Sequence, residues 1–324
     1  MQSVAYYREE FENHLLSGMA KREPASLYEP MNYILRLGGK RLRPALVLLS
    51  AELFGGTYQD ALPAAMAVEY FHNFSLIHDD IMDEAPLRRG KTTVHKKWDI
   101  NAGILSGDAM LIEAYRFLEP YPSETFKELS TVFSKTAMEV CAGQQYDIDF
   151  ETRDDVTVKE YLKMIEFKTA VLVGAAVKMG AITAGASMQE QQEIYAFGLN
   201  LGIAFQLQDD YLDAFGDPDK FGKQVGGDII ENKKTYLFLK ALELGESAMG
   251  KELSDLFSIQ PKKAEKKIRR VKEIYLQSGA TEDTKNAIAT YTEKAFSCLE
   301  KLNLPQENKE ILLRFGKDLM GRKV

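Results

Sequence analysis

Residues 191–213 run QQEIYAFGLNLGIAFQLQDDYLD. Ile194, Phe197, Leu201 and Ala204 recur at intervals of three and four, which puts them on one face of an α-helix. Nothing in this segment breaks a helix, and its surroundings agree. Of the ten prolines, none lies between Pro122 and Pro218. A span that long, rich in Ala, Leu, Met, Glu and Lys, reads as several long helices. Outward from it, Tyr161, Ile165 and Leu172 keep the spacing, as do Phe126, Leu129, Phe133, Ala137 and Val140 behind a Ser123 cap. Nearer the start, Leu27, Met31, Ile34 and Leu35 share a face, and Pro44 stands where a helix can begin. Period-two alternation and Asn-Gly or Asp-Gly hairpin signals between apolar runs are missing. The expected fold class is all-α.

The 324 residues, 45% apolar and 27% charged, suffice for a substantial core. No Ser/Gly/Pro-rich linker, low-complexity tract or repeat divides the chain, so one domain over residues 1–324 is expected. A net charge of −7 argues against a general polyanion or nucleic-acid binder, though a local basic patch can still grip a small anion. Two cysteines, Cys141 and Cys298, supply no disulfide framework and fit a reducing, cytoplasmic setting. The opening MQSVAYYREEFENH does not read as a signal peptide. Residues 169–189, TAVLVGAAVKMGAITAGASMQ, come nearest to a membrane span. Lys178 interrupts them and their Gly/Ala richness suits buried helices, so no transmembrane segment is expected. The basic run QPKKAEKKIRRVK (260–272) reads as the solvated face of a late helix rather than a membrane-surface patch.

Two strings carry chemistry: Asp79-Asp80-Ile81-Met82-Asp83 and Asp209-Asp210-Tyr211-Leu212-Asp213. Each is D-D-x-x-D at the end of an apolar helical pattern. In a helix the first and fifth positions lie about 40° apart, one turn along the axis, and the second lies about 100° off. Asp79 with Asp83, and Asp209 with Asp213, can each present two carboxylates to one point, while Asp80 and Asp210 suit supporting roles. Clustered oxygen donors without His or Cys suit Mg²⁺ that also holds phosphate oxygens. A cationic counterpart lies upstream in Gly38-Gly39-Lys40-Arg41-Leu42-Arg43-Pro44, where glycines admit a close ligand and Lys and Arg match phosphate. A second basic group, Arg88-Arg89-Gly90-Lys91, follows the first aspartates. Two acidic and two basic clusters in one all-α chain are what two anionic substrates would require. Lys168 and Thr169 continue the stripe of Ile165, and Gln206 stands one turn before Asp209 and Asp210. All three read as site residues, whereas Gln144, Asp147 and Asp108 read as structural. His72, two turns before Asp79 on the same face, suits an anion-facing role. His78 has no role that the sequence assigns, and Trp98 reads as packing.

Taken in order, these motifs resemble the trans-isoprenyl diphosphate synthases of the polyprenyl synthetase family. The matching strings are GGKRLRP (38–44), EYFHNFSLIHDDIMD (69–83), RRGKTTVH (88–95), SGDAML (106–111), GQQYD (143–147), FKT (167–169), FQLQDDYLD (205–213) and KQVGGDIIENKKT (223–235). The resemblance implies a bundle of long helices around a central apolar cavity, a homodimer, and three Mg²⁺ ions. It makes Asp79 and Asp83 ligands of two ions on an allylic diphosphate and Asp209 a ligand of the third. Lys40, Arg43 and His72 would bind isopentenyl diphosphate. Arg88 would contact the allylic diphosphate and Arg89 the isopentenyl one. Lys168, Lys223 and Lys233 would complete the allylic cage, and Thr169 and Gln206 would turn oxygen dipoles toward a carbocation.

The implied reaction is head-to-tail prenyl transfer from an allylic diphosphate (dimethylallyl, geranyl or farnesyl) to isopentenyl diphosphate. In the family, product length follows residues below the first aspartate, here Ser75 and Phe74, with Phe71 one turn deeper. A single aromatic at the fifth position before Asp79 resembles short-chain geranylgeranyl synthases, so C20 is expected, with C15 and C25 as alternatives. A class I terpene cyclase would not need GGKRLRP, and a non-catalytic subunit of a heteromeric synthase tends to lose one aspartate cluster. The tail Arg322-Lys323 is a candidate cover for the isopentenyl site.

Overall fold

The computed structural model describes residues 2–217, 226–261 and 263–321. Its helices are α1 (Val4–Ser17), α2 (Ala25–Arg36), α3 (Leu42–Leu53), α4 (Tyr58–Met82), α5 (Val94–Lys97), α6 (Ile100–Arg116), α7 (Ser123–Thr152), α8 (Val158–Ile165), α9 (Val171–Thr183) and α10 (Met188–Phe215). Later helices cover Gly227–Ile230, Tyr236–Leu244, Ser247–Phe257, Glu265–Gln277, Ala280–Glu300 and Gln306–Met320. Among the described residues the one sheet is a two-stranded hairpin, β1 (Leu87–Arg88) with β2 (Lys91–Thr92). The all-α expectation holds. The sequence missed that hairpin because its turn is Arg89-Gly90 rather than Asn-Gly. Both residues take positive φ, 53° and 74°, as the tightest hairpin turns require.

Two compact units form. The first comprises Met1–Ala137, Leu172–Tyr195 and Leu302–Ile311; the second comprises Met138–Val171, Ala196–Lys301 and Leu312–Val324. Each unit is discontinuous in sequence, so no linker marks the division.

In the first unit α4 packs against α6 and α3. The Thr57 side chain accepts the Asp60 N–H and starts α4, whose Ala61, Ala64, Ala65 and Ala67 let neighbouring backbones come close. Met31, Ile34 and Leu35 are buried on α2, as their spacing requires. Burying each such side chain stabilises by about 2 kcal/mol. Pro44 sits in the first turn of α3, where its missing N–H has no intrahelical partner to lose. The Gly/Ala-rich α9 is a buried helix: the Ser50 hydroxyl of α3 donates to its Val177 carbonyl at 2.6 Å. No described helix is long and apolar enough to cross a membrane.

In the second unit Tyr161, Met164 and Ile165 share a core with Ile203, Leu207, Leu237, Phe238, Val271, Ile274 and Tyr275. A capping box, Thr157 with Glu160, starts α8. Between α8 and α9 the chain widens into a π-helical turn, Glu166–Ala170, of which the three-and-four spacing gives no sign. The basic run corrects one expectation. Lys263, Lys266 and Arg269 are exposed, but Lys267 is buried and Arg270 is forked onto Glu252 at 2.6 and 2.7 Å. Lys223, Arg322 and Lys323 lie outside the described residues.

Candidate active site

The C-terminal end of α4 carries the first aspartate motif. Its three carboxylates divide as helical geometry requires: Asp79 is half-buried, Asp83 exposed and Asp80 buried. Asp80 accepts a fork from Arg88, whose Nε lies 2.8 and 2.9 Å from its two oxygens and whose Nη2 lies 2.6 Å from Oδ1. The positive-φ turn at Arg89-Gly90 sends the next arginine elsewhere. Arg89 lies against Gly39, where an added Cβ would come within 2.8 Å of the guanidinium. The hairpin therefore joins the aspartate motif to the GGKRLRP loop, and a residue larger than glycine at position 39 would push Arg89 away.

Within that loop the basic residues differ in role. Arg41, left-handed at φ 45°, turns inward and hydrogen-bonds Glu69 and the Leu35 carbonyl. Asn73 donates to the same Glu69 oxygen at 2.9 Å. Arg41 is 4% exposed, which makes it an internal strut rather than a ligand-facing cation. Lys40 remains exposed. Arg43 places Nη1 3.3 Å from His72 Nε2, while its buried Nε meets no acceptor. Because Arg43 can only donate, the His72 Nε2 must accept and the ring proton sits on Nδ1. Burial, and then the charges of Arg43, Arg89, Arg88 and Arg41, hold the His72 pKa well below the ordinary imidazole range. Loss of water around the Arg43 guanidinium lowers its pKa too. Cations crowded in this way favour an arriving polyanion.

Below Asp79 an aromatic column descends through the first unit. His78 lies 4.8 Å from Phe74, Phe74 5.5 Å from Phe71, Phe71 5.4 Å from Phe133, and Phe133 4.8 Å from Tyr115. Phe71 is 1% exposed and Phe74 9%, so Phe74 is the ring nearer open space. The Ser75 hydroxyl is turned back onto the His72 carbonyl at 2.9 Å. His78 heads the column, with Nε2 held 3.2 Å from the Ile104 carbonyl and its ring propping Phe74. Asp108, 58% exposed at its side chain, lies 3.8 Å from His78 Nε2.

In the second unit α10 carries the second motif with the same division: Asp209 and Asp213 are half-buried, Asp210 buried. Asp210 accepts from the Tyr161 hydroxyl and, at 3.0 Å, from Gln206 Nε2. The Gln206 Oε1 in turn accepts from Thr169 Oγ1 at 3.2 Å, so Thr169, Gln206, Asp210 and Tyr161 form one chain of hydrogen bonds. Burial, reinforced by the negative charge of Asp228, pushes the Asp210 pKa up to about 8. Asp213 Oδ2 accepts the Asp228 N–H at 2.9 Å, which caps the short helix Gly227–Ile230 and leaves Asp213 less able to join Asp209 at a common point.

The π turn presents Lys168 and Thr169, and π turns recur at functional sites. Gly143 allows it: a Cβ there would collide with the Lys168 backbone nitrogen. The Lys168 ammonium pairs with Asp147. Lys233 lies 2.9 Å from Glu231. Burial opposes its charge, but Glu231, Asp228 and Asp147 outweigh that and raise its pKa.

The polyprenyl synthetase family model matches residues 24–275. The chain belongs to that family. Among its relatives, the geranylgeranyl diphosphate synthase of Methanosarcina mazei is 39% identical over 301 residues, covering 92% of this chain and 90% of that protein. The geranylfarnesyl diphosphate synthase of Natronomonas pharaonis is 39% identical and covers 77% and 79%. A crystal structure of a geranylgeranyl pyrophosphate synthase matches at TM-score 0.96 and 56% identity over 100% of both chains. Family membership makes the chain a prenyl diphosphate synthase of the all-α isoprenoid synthase type.

For this polyprenyl synthetase the question of metal rests on donor chemistry. Among the described residues no three His, Cys, Asp or Glu side chains close around a point as a protein-only cage. Mg²⁺ seldom needs one, since it keeps waters and binds through one or two carboxylates together with substrate phosphates. The outward-lying Asp79, Asp83 and Asp209 fit that mode, and the buried Asp80 and Asp210 do not.

Proposed function

We propose that the chain is a short-chain trans-prenyl diphosphate synthase that condenses isopentenyl diphosphate with allylic diphosphates, making mainly the C20 product, geranylgeranyl diphosphate. The observation that carries this reading is the Arg88-Arg89 hairpin. One arginine is clamped to the aspartate motif and the next lies on the GGKRLRP loop, so carboxylates suited to Mg²⁺ and cations suited to diphosphate stand together in the first unit.

Asp79 and Asp83 would hold two Mg²⁺ ions and Asp209 a third; bound there, the ions supply the positive charge that favours departure of diphosphate from the allylic substrate. Lys40 and Arg43 take the isopentenyl diphosphate, with His72 orienting Arg43 as a neutral acceptor. Arg89 faces the same group, and Arg88, steadied by Asp80, faces the allylic diphosphate. In the second unit Lys168 and Lys233 neutralise diphosphate oxygens as negative charge grows. Thr169 and Gln206, fixed in their hydrogen-bonded chain, direct oxygen dipoles toward the allylic cation. The isopentenyl double bond attacks that cation and a proton is then lost, the departing diphosphate being its acceptor.

The C20 length rests on Phe74, backed by Phe71 and Phe133, as the floor beneath Asp79. Similarity to a geranylfarnesyl synthase favours C25 as the second reading. Phe74→Ala should shift the product distribution toward longer chains, whereas an unchanged distribution would show that the floor lies elsewhere. We further propose a cytoplasmic homodimer. On α6, Ile104, Leu105 and Ile112 are 40%, 59% and 59% exposed and lie within about 100° around the helix, an apolar stripe that a second copy would cover. Incubation of pure protein with isopentenyl and dimethylallyl diphosphates and Mg²⁺, followed by product-length analysis, tests the assignment: C20 supports it, and no condensation refutes it.

A further inference from the structure

Lys267 stands on the apolar face of the helix Glu265–Gln277, four and seven residues before the buried Val271 and Ile274, and is 3% exposed. The acceptors of its ammonium are neutral. Nζ donates to Asn232 Oδ1 and, at 3.0 Å, to the Ile259 carbonyl, and it lies 5.3 Å from the centre of the Phe257 ring. Burial lowers its pKa. A hydrophobic side chain would sit there at less cost, so the buried cation is explained by what it grips.

It grips the residue before Lys233. Asn232 is left-handed, with φ 60°, a conformation that Asn adopts more readily than most residues but that still favours other geometries when released. On the far side of Lys233, the Lys234 ammonium donates to the Arg153 carbonyl and lies 3.1 Å from Asp154 Oδ1. The Lys233 N–H itself bonds the Asp228 carbonyl at 2.9 Å. Both neighbours of Lys233 are therefore tied by their side chains to other segments, while the Lys233 side chain stays 48% exposed.

We propose that Lys267 is a positioning residue for Lys233: by locking the left-handed Asn232 turn it sets where the Lys233 ammonium stands to meet the allylic diphosphate. This rests on the function proposed above. It also accounts for a buried cation in a basic segment that the reaction itself does not use.

Full-length Lys267→Met and Asn232→Ala variants test the lock, with geranyl and isopentenyl diphosphates as substrates. Loss of a charged hydrogen bond should raise the KM for geranyl diphosphate by about tenfold in each variant and leave the KM for isopentenyl diphosphate within about twofold. The double variant should be no worse than either single one, because both break the same contact. Asn232→Asp, which keeps an acceptor for Lys267, should bring the KM for geranyl diphosphate back to within about threefold of wild type. Folded variants with an unaltered KM for geranyl diphosphate, or with both KM values raised alike, would overturn the proposal. Should Lys267→Met fail to fold, Asn232→Ala decides alone. A wild-type protein that makes no product at all refutes the function instead, so the two failures are distinguishable.

Discussion

Asp80 and Asp210 hold the same place in their motifs, second in D-D-x-x-D, and are similarly hidden at 1% and 6% exposed. Asp80 takes three short contacts from the guanidinium of Arg88. Asp210 takes the phenol of Tyr161 and the amide of Gln206, while burial first, and then the charges of Asp228 and Asp209, press against its ionisation. A buried carboxylate that meets a guanidinium fork fixes the direction of its partner. One buried beside other acids and without a cation holds its proton to higher pH, against the pull of its neutral donors. The same D-D-x-x-D pattern thus serves in one unit to aim an arginine and in the other to anchor the Thr169–Gln206 chain. In both, the first aspartate is less buried than the second.

The largest test of that division removes the outer members. Asp79→Ala and Asp209→Ala should each lower turnover by about a thousandfold or more with little change in fold, since charge stabilisation of the departing group is lost. Near-normal rates, read beside circular dichroism, would break the assignment. A smaller loss should follow from disturbing what the second motif anchors. Gly143→Ala forces the π turn away and misplaces Lys168 and Thr169, for which a fall in kcat of about a hundredfold is expected. The inner members then separate by stability. Asp80→Asn leaves Arg88 without its counter-charge and should cost about 2 kcal/mol in urea unfolding.

Asp210→Asn should act oppositely. The Asp210 pKa is raised from 3.8 to about 8, so between those values the folded chain keeps a proton that the unfolded chain has lost. Wild-type stability therefore falls across that interval and levels off above it. Without divalent ions, Asp210→Asn should gain on wild type as pH climbs toward 8 and show little difference near pH 4. A difference that does not vary with pH would contradict the burial argument.

Much of this was legible in the sequence. The outward and inward members of each motif follow from 100° per residue, and the buried face of α2 from its spacing. Other features were hidden for identifiable reasons. Arg41 and Arg43 look alike in GGKRLRP, yet only the left-handed backbone at Arg41 turns its side chain onto Glu69. A π turn adds its residue without disturbing a pattern that already alternates threes and fours, so Gly143 gave no hint of its contact with Lys168. Lys267 looked like its solvated neighbours, although its spacing from Val271 and Ile274 marked it as inward-facing. The role of His78 emerged only once Ile104 and Phe74 stood beside it.

The dependence of turnover on Mg²⁺ concentration, compared between Asp79→Asn and Asp80→Asn, bears most directly on the split between outer and inner aspartates. Asp79→Asn should raise the Mg²⁺ concentration for half-maximal rate by about tenfold or more, while Asp80→Asn should leave it within about twofold and instead raise the allylic KM through Arg88. An equal or larger shift in the Mg²⁺ requirement for Asp80→Asn would contradict the account.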